Sequence, residues 1–169
     1  NIDKDHKDVE VLMEVFGTFR SHSKQFIVNR SHPLAATLSV DAAHDFSIDE
    51  NGAGCIARNF QQKGFEISFE VDGKNFNLHT VGKHNMENAV AAIAVARQLG
   101  VSLQTCGESL LQYEGIYRRH QVLGQKGGVW FIDDYAHNPA KCAASIRACQ
   151  PIAEKVVAWF QPHGYGPTR

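Results

Sequence analysis

Between Ala43 and Val81 the chain alternates apolar and polar residues with a period of two, and from Asn85 it switches to a helical period. Cys55, Ala57 and Asn59 alternate with Ile56, Arg58 and Phe60; Phe65, Ile67 and Phe69 alternate with polar partners, as do Phe76, Leu78 and Thr80. A strand places successive side chains on opposite faces, so this pattern predicts strands with one buried and one wet face. Lys63-Gly64 and Asp72-Gly73 separate the runs. Asp-Gly between alternating runs is a strong hairpin signal. The expectation is an antiparallel meander. After it, Ala89, Ala92, Ile93, Ala96 and Leu99 form an alanine-rich helical stripe ending at Gly100.

The flanks read as alternating helices and strands. Val9, Leu12, Met13, Phe16 and Phe19 predict an amphipathic helix over Lys7 to Phe19. Gln25 to Asn29 reads as a short strand and Pro33 to Val40 as a helix. Leu103 to Gln112 reads as a helix capped by Ser102. Gly115 to Arg119 is a break, and a domain boundary is placed near Glu114. Strands at Gln121 to Leu123 and Val129 to Ile132 flank a turn at Gly127-Gly128. A helix over Ala140 to Cys149 and a strand over Lys155 to Phe160 complete a β-α-β unit, the seed of a Rossmann-like parallel sheet. The fold class is therefore α/β.

Composition excludes several classes. Of the 169 residues 43% are hydrophobic and 21% charged, as in globular domains, and the net charge of -1 offers no nucleic-acid footprint. No apolar run approaches the ~18 residues of a membrane span. The four cysteines contain no C-x-x-C pair, and no two histidines sit at H-x-x-x-H spacing. Scattered thiols fit a reducing cytoplasm. The polar opening at Asn1 and the ending at Arg169, just after a glycine-rich turn, lead us to expect a piece of a longer chain.

Five segments carry chemistry-bearing residues. Asp133 to Pro139 (DDYAHNP) follows an apolar run, where ligands of open α/β sheets gather. Asn138 and Pro139 fit a helix cap, which leaves Asp133, Asp134 and His137 unexplained. Asp5 and His6 precede the first helix; such a pair can hold a divalent metal or merely cap a helix. Asn85 and Asn88, in GKHNMEN, share one face of a helix's first turn, and an amide offers both donor and acceptor, as an adenine edge requires. Arg118-Arg119 could grip phosphate or remain solvated. Phe160 to Arg169 (FQPHGYGPTR) leaves a strand end with His163.

As an ordered set these segments resemble the Mur ligase family, ATP-dependent amide ligases of peptidoglycan precursor synthesis, in the branch that uses UDP-N-acetylmuramate and L-alanine or recycles murein tripeptide. N-x-x-x-D-H at Asn1 to His6, G-x-H-N-x-x-N at Gly82 to Asn88, Arg118-Arg119, D-D-Y-x-H-N-P at Asp133 to Pro139 and F-Q-P-H-x-Y at Phe160 to Tyr165 carry the resemblance over essentially the whole chain. Folylpolyglutamate synthases share only some of these elements. The resemblance implies that residues 1–114 are the later part of a P-loop ATPase-like central domain with its small antiparallel sheet. Residues 115–169 would begin a Rossmann-like third domain.

The resemblance also implies roles. His6 would help hold Mg2+, Asn85 and Asn88 would read the adenine of ATP, and Arg119 would reach its phosphates. Asp134 would bind the ribose hydroxyls, while His137 and His163 would line the substrate side. Implied partners are a UDP-muramoyl acceptor and an amino acid in the cytoplasm, with no nucleic acid and no membrane span. Two departures stand out. The 169 residues contain no G-x-x-G-K-[ST] loop, so the chain alone is expected to hydrolyse no ATP. Gly164, Gly166 and Pro167 stand where the branch usually carries Arg, Ser and Arg, and Arg169 is a possible replacement charge.

Overall fold

The structure, a computed structural model, describes residues 8–162. It is a mixed α/β fold with a four-stranded sheet and a separate two-stranded sheet. Helices α1 (Val9–Ser21) and α2 (Pro33–Ala36) come first, followed by strands β1 (Phe46–Ile48), β2 (Cys55–Lys63), β3 (Glu66–Val71) and β4 (Lys74–Leu78). Helices α3 (Lys83–Gln98) and α4 (Leu103–Leu111) follow, then hairpin β5 (Gln121–Lys126) and β6 (Val129–Asp133), then α5 (Pro139–Cys149).

The period-two segment forms the sheet β1-β2-β3-β4. β2, β3 and β4 are the expected antiparallel meander, and Ile67, Phe69 and Val71 point inward together with Phe76 and Leu78. β1 departs from the meander by pairing parallel to β2, with Phe46 opposite Cys55. A parallel return normally needs a long crossover. Here β1 is only three residues long, so the short loop 49–54 can carry the chain back. All three β1 residues are buried, as expected of a strand covered on both faces.

The core lies between this sheet and α3 with α4. Phe69 and Phe76 stack with ring centres 5.5 Å apart, and Met86, Ala89, Val90, Ile93 and Ala94 cover the sheet from α3. The predicted alanine stripe is thus rotated on the helix. Ala89 and Ile93 are buried, but Leu99 is 75% exposed and Ala92 is also exposed. Ala92 instead continues the face that carries Asn85 and Asn88.

Three local expectations change. Gln25 to Asn29 contributes an isolated parallel bridge, Asn29 to Phe46, in place of a strand. The Val28 N–H there donates to the buried Asp45 carboxylate at 2.9 Å, which takes the place of a ladder partner. The helix expected to Val40 stops at Ala36, and Ser39 turns back to bond Asp45. Lys155 to Phe160 forms no ladder. A groove of about 730 Å³ lies between residues 156–160 and β6 with α5, so the parallel pairing of the β-α-β unit is not made. Trp159 is 97% exposed as a result. The caps are as read: Ser102 accepts from the Thr105 N–H, and Asn138 accepts from the Lys141 N–H ahead of α5.

Candidate functional site

Gly82 opens α3 at φ +87°, a conformation that L side chains avoid. Its N–H donates to Gln62 Oε1 at 2.9 Å, while Gln62 Nε2 donates to the Ala148 carbonyl at 2.9 Å. One glutamine thereby joins β2, the start of α3 and the end of α5. A Cβ at Gly82 would lie 2.9 Å from the Ala148 Cβ, so α3 and α5 meet only because the side chain is absent. From this junction α3 projects Asn85, Asn88 and Ala92 along one face. Asn85 Nδ2 donates to Thr80 Oγ1 at 2.9 Å and to the Val81 carbonyl at 2.8 Å. The carbonyl can only accept, so it orients the amide. Both amide hydrogens are spent, and Asn85 Oδ1 remains as an acceptor.

Opposite α3 the chain turns at residues 115–120. Arg118 and His120 both have positive φ, +57° and +47°. For residues other than glycine this costs about 1–2 kcal/mol each and persists only where neighbours hold it. The neighbours are identifiable. Arg118 N–H donates to Gln121 Oε1 at 3.1 Å, its carbonyl accepts from the Tyr135 N–H at 2.8 Å, and Arg119 N–H donates to the Ile116 carbonyl at 3.0 Å. The kink separates the two arginines. Arg118 pairs with Asp133 at 3.2 Å, whereas Arg119 lines the cavity. Both guanidinium groups lie near the Tyr135 ring, 5.4 and 5.7 Å from its centre.

His120 is the residue the sequence reading missed. Its side chain is 2% exposed. Nδ1 lies 2.9 Å from Asp134 Oδ2, and Nε2 lies 3.2 Å from the Ser145 carbonyl. Both ring nitrogens face acceptors, so both carry protons. Burial pushes its pKa down, but the hydrogen bonds to Asp134 and Cys149 and the Asp134 charge prevail and hold it at about 9. Burial likewise pushes the Asp134 carboxyl up, and the His120 contacts outweigh this and lower it. His84, whose ring is 5.5 Å away, is pushed down by burial and by the His120 charge. The signal for His120 was its place across the hairpin. Gln121 pairs with Asp133, so the next rung sets His120 against Asp134.

These groups surround one cavity of about 640 Å³ between α3, α4, the 115–120 turn and α5. Asn85, Asn88, Arg119 and Asp134, drawn from three motifs far apart in sequence, all line it. His137 lies instead on the neighbouring groove against β6 and α5. Its Nδ1–H donates to the Tyr135 carbonyl at 3.0 Å, and Nε2 faces Lys141 Nζ at 3.5 Å. His6 and His163, with Gly164, Gly166, Pro167 and Arg169, lie outside the described residues. Among the described residues no cluster of three or more His, Cys, Asp or Glu side chains could hold a metal ion.

A small mixed sheet backed by two helices thus presents the sheet-to-helix asparagines to the arginine turn across the cavity. Residues 2–96 match the Mur ligase middle domain, and the chain belongs to the Mur ligase family. It is 33% identical over 178 residues to the UDP-N-acetylmuramate–L-alanine ligase of Synechococcus sp. (strain JA-3-3Ab), covering 96% of this chain and 34% of that protein. The fold superposes on UDP-N-acetylmuramate-alanine ligase MurC from Thermotoga maritima with a TM-score of 0.74 at 21% identity, over 88% of this chain and 35% of the other. MurF from Acinetobacter baumannii gives 0.71 at 26% identity, over 84% and 33%. The chain spans 31% to 40% of the length of these curated relatives.

Proposed function

We propose that this chain carries the nucleotide-reading part of an ATP-dependent amide ligase of peptidoglycan precursor synthesis. The reaction joins an amino acid, L-alanine by default, to the carboxylate of a UDP-N-acetylmuramoyl acceptor. The observation that supports it is the convergence of Asn85, Asn88, Arg119 and Asp134 on one cavity. About 640 Å³ is within the ordinary range for small-molecule sites. ATP, when bound, would supply the phosphoryl group that activates a substrate carboxylate, so that an amine can attack its carbonyl carbon and phosphate can leave.

The residues present fit an adenine nucleotide. Asn85 Oδ1, the remaining acceptor, suits the exocyclic amine of adenine, and Asn88 stands one turn further along the same face. Asp134 Oδ1 accepts from the Ala136 N–H at 2.7 Å and has a lone pair left for a ribose hydroxyl. Arg119 offers a planar fork to phosphate oxygens. Magnesium, with His6 among its ligands, would spread the charge of the transferring phosphoryl group. His137 and His163 belong to the substrate side. In this reading residues 1–114 come from the central domain and residues 115–169 from the third, so the cavity lies where two domains meet, and closure completes it. The setting is cytoplasmic; no helix among the described residues is long and apolar enough to cross a membrane.

The test is ligase activity of the full-length protein. ADP and phosphate release should require both a UDP-N-acetylmuramoyl acceptor and an amino acid. The 169-residue chain alone should bind ATP without hydrolysing it, because it has no phosphate-cradling G-x-x-G-K-[ST] loop. A different carboxylate and amine pair would show itself as activity with another acceptor in the same panel. ATP binding without turnover of any acceptor, by a full-length protein with no G-x-x-G-K-[ST] loop anywhere in it, would leave a non-catalytic nucleotide-binding module.

A further inference from the structure

We propose that His120 is a positioning residue that sets Arg119 in the cavity by clamping the 116–120 turn onto Asp134. The inference rests on reading the cavity as a nucleotide site. Arg119 sits between two residues in left-handed conformations, and such a turn relaxes unless it is held at both ends. Arg118 anchors one end through Asp133 and Tyr135. His120 anchors the other twice on a single atom: its N–H donates to Asp134 Oδ2 at 3.0 Å and its Nδ1–H to the same oxygen at 2.9 Å. From its far side Nε2–H reaches the Ser145 carbonyl of α5, with Cys149 Sγ at 3.6 Å.

The groups facing the imidazole come from every packed element: Asp134 after β6, Ser145 and Cys149 on α5, and His84 on α3. Among the described residues, Asp134 is the carboxylate that pairs with the imidazole. The carboxylate thus has two tasks. Oδ2 belongs to His120, and Oδ1 faces the Ala136 N–H with capacity to spare. A ligand hydroxyl can engage Asp134 without releasing the clamp, so the arginine stays presented while the site fills.

The experiment is a double-mutant cycle on the full-length protein with ATP as the probe, read by calorimetric titration. Arg119→Ala and His120→Ala should each weaken binding about tenfold, and the double variant should bind within about twofold of Arg119→Ala, because His120 acts through Arg119. His120→Asn keeps a donor where Nδ1–H sits but loses the contact to Ser145, and it should fall between wild type and His120→Ala. If His120→Ala does not fold, His120→Asn carries the comparison with Arg119→Ala. Losses that multiply in the double variant, or a His120 variant that binds like wild type, would overturn the proposal. If wild type itself binds no ATP, the nucleotide reading fails, and amide hydrogen exchange decides the clamp on its own. Faster exchange at the Arg119 and Tyr135 N–H groups in the His120 variants, with β3 unchanged, supports it; unchanged exchange there refutes it.

Discussion

His120 and Asp134 meet twice through one oxygen: the Nδ1 and the backbone N–H of His120 lie 2.9 and 3.0 Å from Asp134 Oδ2. The pair ties stability to pH. His120 titrates at about 9 in the fold against an ordinary 6.5. A raised basic group contributes fully below its unfolded value, and the contribution is lost as pH rises through the folded one. Asp134 is lowered from 3.8, so its share is present above that value and is lost as pH falls through the lowered one. The pair therefore contributes most between pH 3.8 and 6.5. The His120 shift corresponds to roughly 3 kcal/mol. Melting curves from pH 6 to 10 should show wild type losing this increment while Asp134→Asn shows no such slope. Parallel pH profiles for the two proteins would contradict the pairing.

Gly82 sits at φ +87° with room for no side chain, since a Cβ would come within 2.9 Å of Ala148 and 2.6 Å of the His84 ring. Gly82→Ala should cost about 1–3 kcal/mol from backbone conformation alone. The contact with Ala148 should also push α5 away from α3 and weaken ATP binding. Denaturant unfolding together with ATP titration checks both effects; a variant of wild-type stability would show that the junction is not close-packed in solution.

Asn85 has spent both amide hydrogens on Thr80 and Val81, so it offers the base only an acceptor. An acceptor matches a 6-amino purine and opposes a 6-oxo one. The full-length protein should prefer ATP to GTP by roughly tenfold or more, the cost of one unmade hydrogen bond in a desolvated site. Equal affinities would remove Asn85 from base recognition.

The helical face assignment is open to mutation as well. Phe69 is 1% exposed and stacks on Phe76, so Phe69→Ala should cost about 3–5 kcal/mol. Leu99 belongs to the apolar stripe by periodicity but is 75% exposed, so Leu99→Ala should stay within about 0.5 kcal/mol. Chemical denaturation of both variants measures the contrast. A large loss for Leu99→Ala would mean that another surface covers it in solution.

What could be read from the chain was local. Hydrophobic alternation determined β2 to β4, because a pleated strand with one wet face needs it, and Ser102 and Asn138 determined their helix starts through their own side chains. The motif set determined the family and named Asn85, Asn88, Arg119 and Asp134. Tertiary structure decided the rest, since each remaining feature depends on a partner distant in sequence. The parallel pairing of β1 follows from a short strand enclosed on both sides. Lys155 to Phe160 forms no strand because a groove separates it from β6, however apolar its residues. The stripe on α3 is rotated because periodicity sets the width of an apolar face while the sheet chooses its direction, and this choice turned Ala92 toward the cavity. His120 carried no motif of its own. Only burial beside Asp134 and the Ser145 carbonyl, with both ring nitrogens facing acceptors, makes it an imidazolium at the centre of the site.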